Sequence, residues 1–364
     1  MRAPVERWLT GVWSDPADRR PLARALLALP SVVYAMGEAV VRTGFDRRWR
    51  TVRLPMLPTI SVGNLSVGGT GKTPVAAWLA EAYLARGVPP ALVLRGYGGD
   101  ESLVHARLVP GAIIETGADR RAGIAAAAAR GARVAILDDG FQHRRVARAL
   151  DLVLLSAEQV AGELTDDGVW HPRLLPAGPY REPPVALRRA DALILTIKTA
   201  DAEAVRRVRE ALSRVVPGCP LVTAHLEPSG LVWAAGSRDV PALAGTPVLA
   251  VAGIGAPALF GAQLAALGAR VTLRPYADHH PYDARDVAAL VAEGRRFGGV
   301  VCTLKDAVKL VPRWPSDGPS LSYLSQRCTI TEGGAGLATM LAAVLPGPPG
   351  TVAPPTSDPG DTTA

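Results

Sequence analysis

The sequence predicts an α/β protein of two domains, and three observations predict it. A β-branched run ends in a glycine-rich Lys-Thr loop followed by a helical stretch (Thr59 to Arg86), and a later apolar run ends in the paired acids Asp138-Asp139. From there to about residue 345, apolar runs of strand length alternate with helical patterns. A chain of 364 residues is long enough for two ordinary domains, each with its own core. The boundaries read as an N-terminal amphipathic region over 1–50, a nucleotide-binding domain over 51–216, a smaller α/β domain over 217–345 that begins with a hinge-like segment, and a disordered Pro/Gly/Thr/Asp-rich tail over 346–364.

Residues 1–50 carry Trp8, Leu9, Val12, Trp13, Leu22, Leu26, Leu27, Leu29, Val32, Val33 and Tyr34 between Arg19, Arg20, Arg24 and the cluster Arg42, Arg47, Arg48, Arg50. That is the pattern of an amphipathic helix pair with basic margins. It fits a helix lying among lipid headgroups and equally a helix packed on the domain. No uninterrupted apolar run reaches the ~20 residues that span a bilayer; the best, Ala25 to Gly37, is shorter and contains Pro30, and no leader with a cleavage site is legible. The net charge of +7 favours anionic partners without choosing among nucleic acid, nucleotide phosphate and anionic lipid. No nucleic-acid module or interleaved aromatic pattern appears, so nucleic acid is not expected as a partner. Cys219, Cys302 and Cys328 form no close pair, which fits a reducing compartment.

The stretch Thr59-Ile60-Ser61-Val62-Gly63-Asn64-Leu65-Ser66-Val67-Gly68-Gly69-Thr70-Gly71-Lys72-Thr73 is strand, phosphate loop and helix start, a P-loop NTPase-like arrangement. Gly68, Gly69 and Gly71 let backbone N–H groups face a phosphate, Lys72 adds a cation, and Thr73 presents a hydroxyl to Mg²⁺. The following helix adds free N–H groups and its dipole. Ser66 stands where the strict pattern has glycine.

Ala91 to Leu94 reads as a buried strand that leads through Arg95-Gly96-Tyr97-Gly98-Gly99 to Asp100-Glu101, in a loop at the carboxyl end of the sheet. Arg133 to Asp139 is a strand delivering carboxylates beside the phosphate loop, and Gln142, His143, Arg144 and Arg145 follow at the same rim. A loop stiffened by Pro176, Pro179, Pro183 and Pro184 presents Arg181 and Glu182. Beyond short strands at Leu221 to Ala224 and Leu231 to Ala235, the second α/β set carries Asp278-His279-His280 in a loop and the segment Thr303-Leu304-Lys305-Asp306. Adjacent histidines converge poorly on one metal. A carboxylate orienting an imidazole to take a proton is the better chemistry, provided an acid of the first domain faces it.

Jointly these motifs resemble the tetraacyldisaccharide 4'-kinase family, the lipid A 4'-kinases of Gram-negative envelope synthesis. The resemblance rests on Ser61 to Pro74, Arg95 to Gly99, Leu137 to Arg145, Leu174 to Pro179, Arg181-Glu182-Pro183 and Asp278 to Tyr282, in family order. It implies two α/β/α domains joined by a flexible hinge, and a basic, apolar N-terminal helix on the cytoplasmic face of the inner membrane. The implied reaction is ATP- and Mg²⁺-dependent phosphorylation of the 4'-hydroxyl of an acylated glucosamine disaccharide 1-phosphate, giving lipid IVA. Carried over by motif, Asp100 and His279 form the catalytic pair, with Asp119 as the other acid available to His279. Ser66, Val67, Gly68, Gly69, Thr70, Gly71, Lys72, Thr73, Asp139 and His143 contact ATP, Asp138 holds Mg²⁺ with Thr73, and Asn64, Arg181 and Glu182 face the substrate. Two further departures stand out: Gly99-Asp100-Glu101 is fused directly to the Arg-Gly-Tyr-Gly-Gly turn, and Leu304 replaces a usual Glu. The competing class is a membrane-associated P-loop switch or carrier-type ATPase, which gives no reason for the Asp-His-His loop.

Overall fold

A computed structural model describes residues 8–9, 11–13, 21–96, 99–234, 243–255 and 257–345. The expected disordered tail and the turn residues Tyr97 and Gly98 lie outside them. In chain order the strands are β1 (Thr59–Asn64), β2 (Pro90–Leu94), β3 (Ile113–Thr116), β4 (Val134–Asp138), β5 (Leu150–Ser156), β6 (Ala192–Ile197), β7 (Leu221–Trp233), β8 (Pro247–Ala252), β9 (Arg270–Pro275), β10 (Val300–Cys302) and β11 (Leu321–Glu332). The helices used below are α1 (Pro21–Asp46), α2 (Lys72–Leu84), α3 (Asp100–Leu108), α4 (Arg120–Ala129), α5 (Gly334–Ala343) and, preceding the last of these in the chain, the short helix Leu304–Leu310.

All eleven strands form one sheet in the order β3-β2-β4-β1-β5-β6-β7-β11-β10-β8-β9. Every neighbouring pair is parallel except β7 with β11, which is antiparallel. This one join decides the shape of the molecule. The first half pairs onto β7 through Leu221 to His225, whereas the second half pairs onto β11 through Leu321 to Tyr323, opposite Val232 and Trp233. Between them runs a two-stranded ribbon several residues long, about 20 Å at 3.3 Å per residue. Because the join is antiparallel, the carboxyl ends of the strands in the two halves point toward each other across a cleft. Loops leaving β1, β2 and β4 therefore face loops leaving β8, β9 and β10.

Three elements differ from the sequence reading. Leu221 to Ala224 and Leu231 to Ala235 are not separate short strands, because β7 continues through Pro228, Ser229 and Gly230. Pro228 is tolerated where the ribbon has no third strand, and a register shift between Ser325 and Gln326 absorbs the irregularity. The partner strand β11 has no counterpart in that reading, since its polar run Ser325-Gln326-Arg327 hides the apolar pattern. Helix α5, assigned by sequence to the second domain, packs Leu337 and Leu341, with Val344 just beyond its end, into the core of the first half, beside Ile60, Val75 and Leu79. The Tyr83 hydroxyl donates to the Leu341 carbonyl at 2.8 Å.

The N-terminal region has helical turns at 8–9 and 11–13 and then the single long helix α1, which runs through Pro30. A proline removes one i to i−4 bond and need not end a helix of this length. Ala25–Asp46 is thus long and apolar enough to cross a membrane, contrary to the expectation drawn from uninterrupted runs. One face of α1 is tied to the proline-rich loop: Ser31 Oγ donates to the Leu174 carbonyl and Tyr34 Oη to the Arg181 carbonyl, both at 3.0 Å. The other face exposes Leu22, Leu26, Leu29, Val33, Met36 and Val40, spaced three or four apart as one helical stripe.

Candidate active site

Strand β1, buried on all six residues, delivers the phosphate loop at its carboxyl end. Gly71 ends the loop with φ 87°, a conformation that favours glycine, and a Cβ there would also displace the end of the Leu226 side chain. Lys72 opens α2. Its Nζ donates to Asn64 Oδ1 at 3.0 Å and lies 3.4 Å from Asp139 Oδ1. Burial lowers the affinity of Lys72 for its proton, and Asp139 works against that. Arg181 clamps Asp139 with two bonds of 2.9 and 2.7 Å and also reaches Asn64 Oδ1. Burial alone would raise the Asp139 carboxyl, but Arg181 and Lys72 outweigh it and hold the group well below the usual carboxylate range. Asp139 keeps φ 56°, a strained geometry that the clamp over-determines.

The two acids at the end of β4 face different partners. Val62 of β1 pairs with Asp138 in register, which sets this carboxylate beside the start of the phosphate loop. Its Oδ2 meets His105 Nε2 at 2.9 Å, and its carbonyl accepts from Arg120 at 3.2 Å. Its Oδ1 is buried and takes no hydrogen bond from any described residue. An unpartnered buried carboxylate oxygen at the carboxyl end of β4, on the strand paired with the one that delivers the phosphate loop, suits a hard, oxygen-seeking cation such as Mg²⁺.

The third cluster joins the halves. Asp100 is the first residue of α3, behind Gly99 at φ 74°, and not a loop residue as expected from sequence. Its carboxylate is 1% exposed and receives His279 Nδ1 at 2.9 and 3.0 Å. These residues are 179 positions apart. His279 holds φ 57° in the loop after β9. The hydrogen bond to Asp100 raises the His279 value above the ordinary imidazole range, with burial opposing. Burial tends to raise Asp100, yet His279, Lys309 and Lys305 together bring it below the ordinary value. Asp119, the alternative acid, is exposed and caps α4 by accepting from Arg121 and Ala122, so it does not reach His279. His280 is held apart, bonded to Asp286 at 2.7 Å and packed on Tyr276 and Tyr282.

Other predicted residues sit less directly. The Val67 amide donates to the Pro179 carbonyl, and the Ser66 hydroxyl to Gln159, which takes both away from a phosphate. Gly68 and Gly69 stay exposed on the loop, and Thr70 is held by Asn64 Nδ2 at 2.8 Å. Asn64 is fully buried with both side-chain atoms engaged, so it braces Thr70, Lys72 and Arg181 and does not face a substrate. Glu182 is 6% exposed, bonded to Gln142 and Arg189, and likewise supports the rim from behind. His143 is half-buried, and burial with Arg120, Arg148 and Arg145 lowers its proton affinity. Sequence reading missed His105, Arg120, Lys198 and Lys309. Lys198, just past β6, donates to the Gly69 carbonyl at 2.5 Å, and its place at a strand's carboxyl end is the one sign that was available.

A mixed sheet whose first strand runs into a glycine-rich Lys-Thr loop, with paired acids and an imidazole on the facing rims, is the build of a P-loop phosphotransferase. The family described as Tetraacyldisaccharide-1-P 4'-kinase matches residues 23–102 and 98–345 of this chain. The chain belongs to that family. It is 39% identical over 341 residues to the tetraacyldisaccharide 4'-kinase of Syntrophus aciditrophicus, covering 83% of this chain and 88% of that protein. Against the protein of the same name from Phenylobacterium zucineum it is 38% identical over 337 residues, covering 86% and 92%. Its fold is similar to the solved "apo" form LpxK from Aquifex aeolicus in complex with ATP, with TM-score 0.67 and 26% identity, covering 89% of this chain and 99% of that one.

Proposed function

We propose that the protein transfers the γ-phosphoryl group of ATP to the 4'-hydroxyl of a tetraacyldisaccharide 1-phosphate. The observation that carries this reading is the Asp100–His279 pair, which brings a base from the second half to the rim that bears the phosphate loop. Of the two groups the imidazole is accessible, 27% exposed against 1% for Asp100. Asp100 accordingly fixes the Nδ1–H tautomer and Nε2 takes the hydroxyl proton. The 4'-oxygen then bonds to the γ-phosphorus as the bond to the β-phosphate oxygen breaks, and ADP leaves. Lys72 and the amides of Gly69 and Gly71 hold the phosphates, the Thr70 amide being bonded to the Gly68 carbonyl. Thr73 and Asp138 would hold Mg²⁺, which would supply positive charge to the phosphates.

The β7–β11 ribbon serves as the hinge, because among the described residues it is the only sheet connection between the halves. Helix α1 lies in the headgroup plane of the inner membrane on its cytoplasmic side. Its apolar stripe, extended by exposed Trp49, Leu54 and Met56 with Arg47 stacked on Trp49, supports this reading. Its bonds to the Leu174 and Arg181 carbonyls favour lying on the surface over spanning the bilayer. Purified protein given ATP and the acylated disaccharide in detergent should yield the bisphosphorylated lipid. Release of free phosphate from ATP at the same rate without the acceptor would favour the switch-type ATPase instead.

A further inference from the structure

The segment Thr303 to Lys309 has no part in the reaction as derived so far, yet it is built around the catalytic pair. Asp306 is fully buried and receives the Tyr282 hydroxyl at 2.8 Å, the Thr303 hydroxyl at 2.6 Å and the Gly253 amide at 3.0 Å. Three donors fix the direction of its carboxylate. Lys309, one turn on, places Nζ 3.8 Å from Asp306 Oδ1 and 3.4 Å from Asp100 Oδ2. The ammonium also lies 5.4 Å from the centre of the Tyr282 ring, and the side chain is 11% exposed. Arg313 bonds the Lys309 carbonyl at 3.2 Å, pinning the end of the helix.

Asp100 is a buried carboxylate whose hydrogen-bonding partner, His279, must be neutral before it accepts the hydroxyl proton. In that state the imidazole carries no compensating charge, and a buried unpaired carboxylate is costly. A fixed ammonium beside Oδ2, one of the two oxygens that face His279 Nδ1, removes that cost in both protonation states of His279. We propose that Lys309 is a positioning residue for the Asp100–His279 pair, holding Asp100 ionised and aimed at Nδ1 throughout the proton transfer. Asp306 is the residue that aims Lys309. This assignment rests on the kinase reading of the pair. The other charged groups around it are Asp278, whose Oδ1 lies 3.8 Å from His279 Nε2, together with Lys305 on the Lys309 helix and Glu101 on α3.

The test uses the full-length chain with ATP and the acylated disaccharide, and records kcat from pH 5.5 to 9.5 for the parent, Lys309→Met, Lys309→Gln, Lys309→Arg and His279→Ala. Met and Gln keep the stem over Tyr282 and remove the charge, so either one serves if the other folds poorly. The charge-free variants should lose about 10-fold in kcat at neutral pH, and their acidic limb should move about one unit upward, because the pair holds its proton more tightly without the ammonium. Lys309→Arg should restore most of both, with KM for ATP unchanged throughout. A parental pH profile in the charge-free variants, or a uniform loss without displacement, overturns the assignment while an inactive His279→Ala leaves the kinase reading standing. A fully active His279→Ala removes both.

Discussion

The phosphate-loop end of the cleft and the Asp100–His279 end are built on different plans. The first is made almost wholly from one continuous stretch, Asn64 to Thr73, braced by Asp139 and Arg181 of the same half. Its glycines, lysine and supporting amide are settled once β1 and α2 pack. The second unites residues 179 apart and exists only while the two halves face each other. A local site tolerates hinge motion, whereas a divided one depends on it. The contrast assigns binding to the first end and commitment to chemistry to the second.

If that division is right, substitutions at the two ends must differ in kind. The largest effect should come from Lys72→Ala, which removes the cation on the phosphates: kcat should fall by about 10³-fold, with the melting temperature little changed. Single-turnover transfer from labelled ATP reads the first quantity and calorimetry the second. Asp100→Asn and His279→Ala should each lower kcat by about 10²- to 10³-fold while ATP affinity stays near the parent value. Combined, they should lose little more than either alone, since they act as one unit. Additive losses would break the pair.

The pH dependence sharpens the same point. A histidine whose folded value is raised contributes stability fully present below its unfolded value and lost as pH rises through the folded one. A depressed Asp100 contributes stability present above the ordinary carboxylate value and lost as pH falls through its folded value. The contact across the cleft is therefore tightest between those two values. The base needs the opposite condition at histidine, so kcat should rise with pH with a midpoint above about 6.5, over the range where the cross-cleft contact weakens. Steady-state rates and thermal melts across pH should show these opposed slopes, and Asp100→Asn should flatten both. The smallest effect belongs to Arg181→Lys, which replaces the two-pronged clamp on Asp139 by a single contact and should cost about 10-fold in kcat/KM for ATP.

Much of this site was legible because its parts are local. Gly68 to Thr73 between a strand and a helix, and the acids ending β4, announce themselves by residue type and spacing. The facing pair was legible only through resemblance, since nothing in Gly99-Asp100-Glu101 by itself distinguishes an exposed loop from the buried start of a helix. Asn64 and Glu182 carry the polarity of contact residues, yet both are buried and satisfied by neighbours that the linear order does not place beside them. Strand β11 escaped notice because a ribbon strand without a third neighbour needs no sustained apolar pattern.

By itself the sequence determined the α/β class, the phosphate loop and the acids beside it, because each follows from short-range geometry: strand, tight turn, helix. Only the tertiary structure decided that one antiparallel pair turns two parallel halves face to face, that Asp100 and not Asp119 meets His279, and that Lys309 stands behind them. Those relations depend on register and on the direction of chain crossing, which no local run of residues encodes.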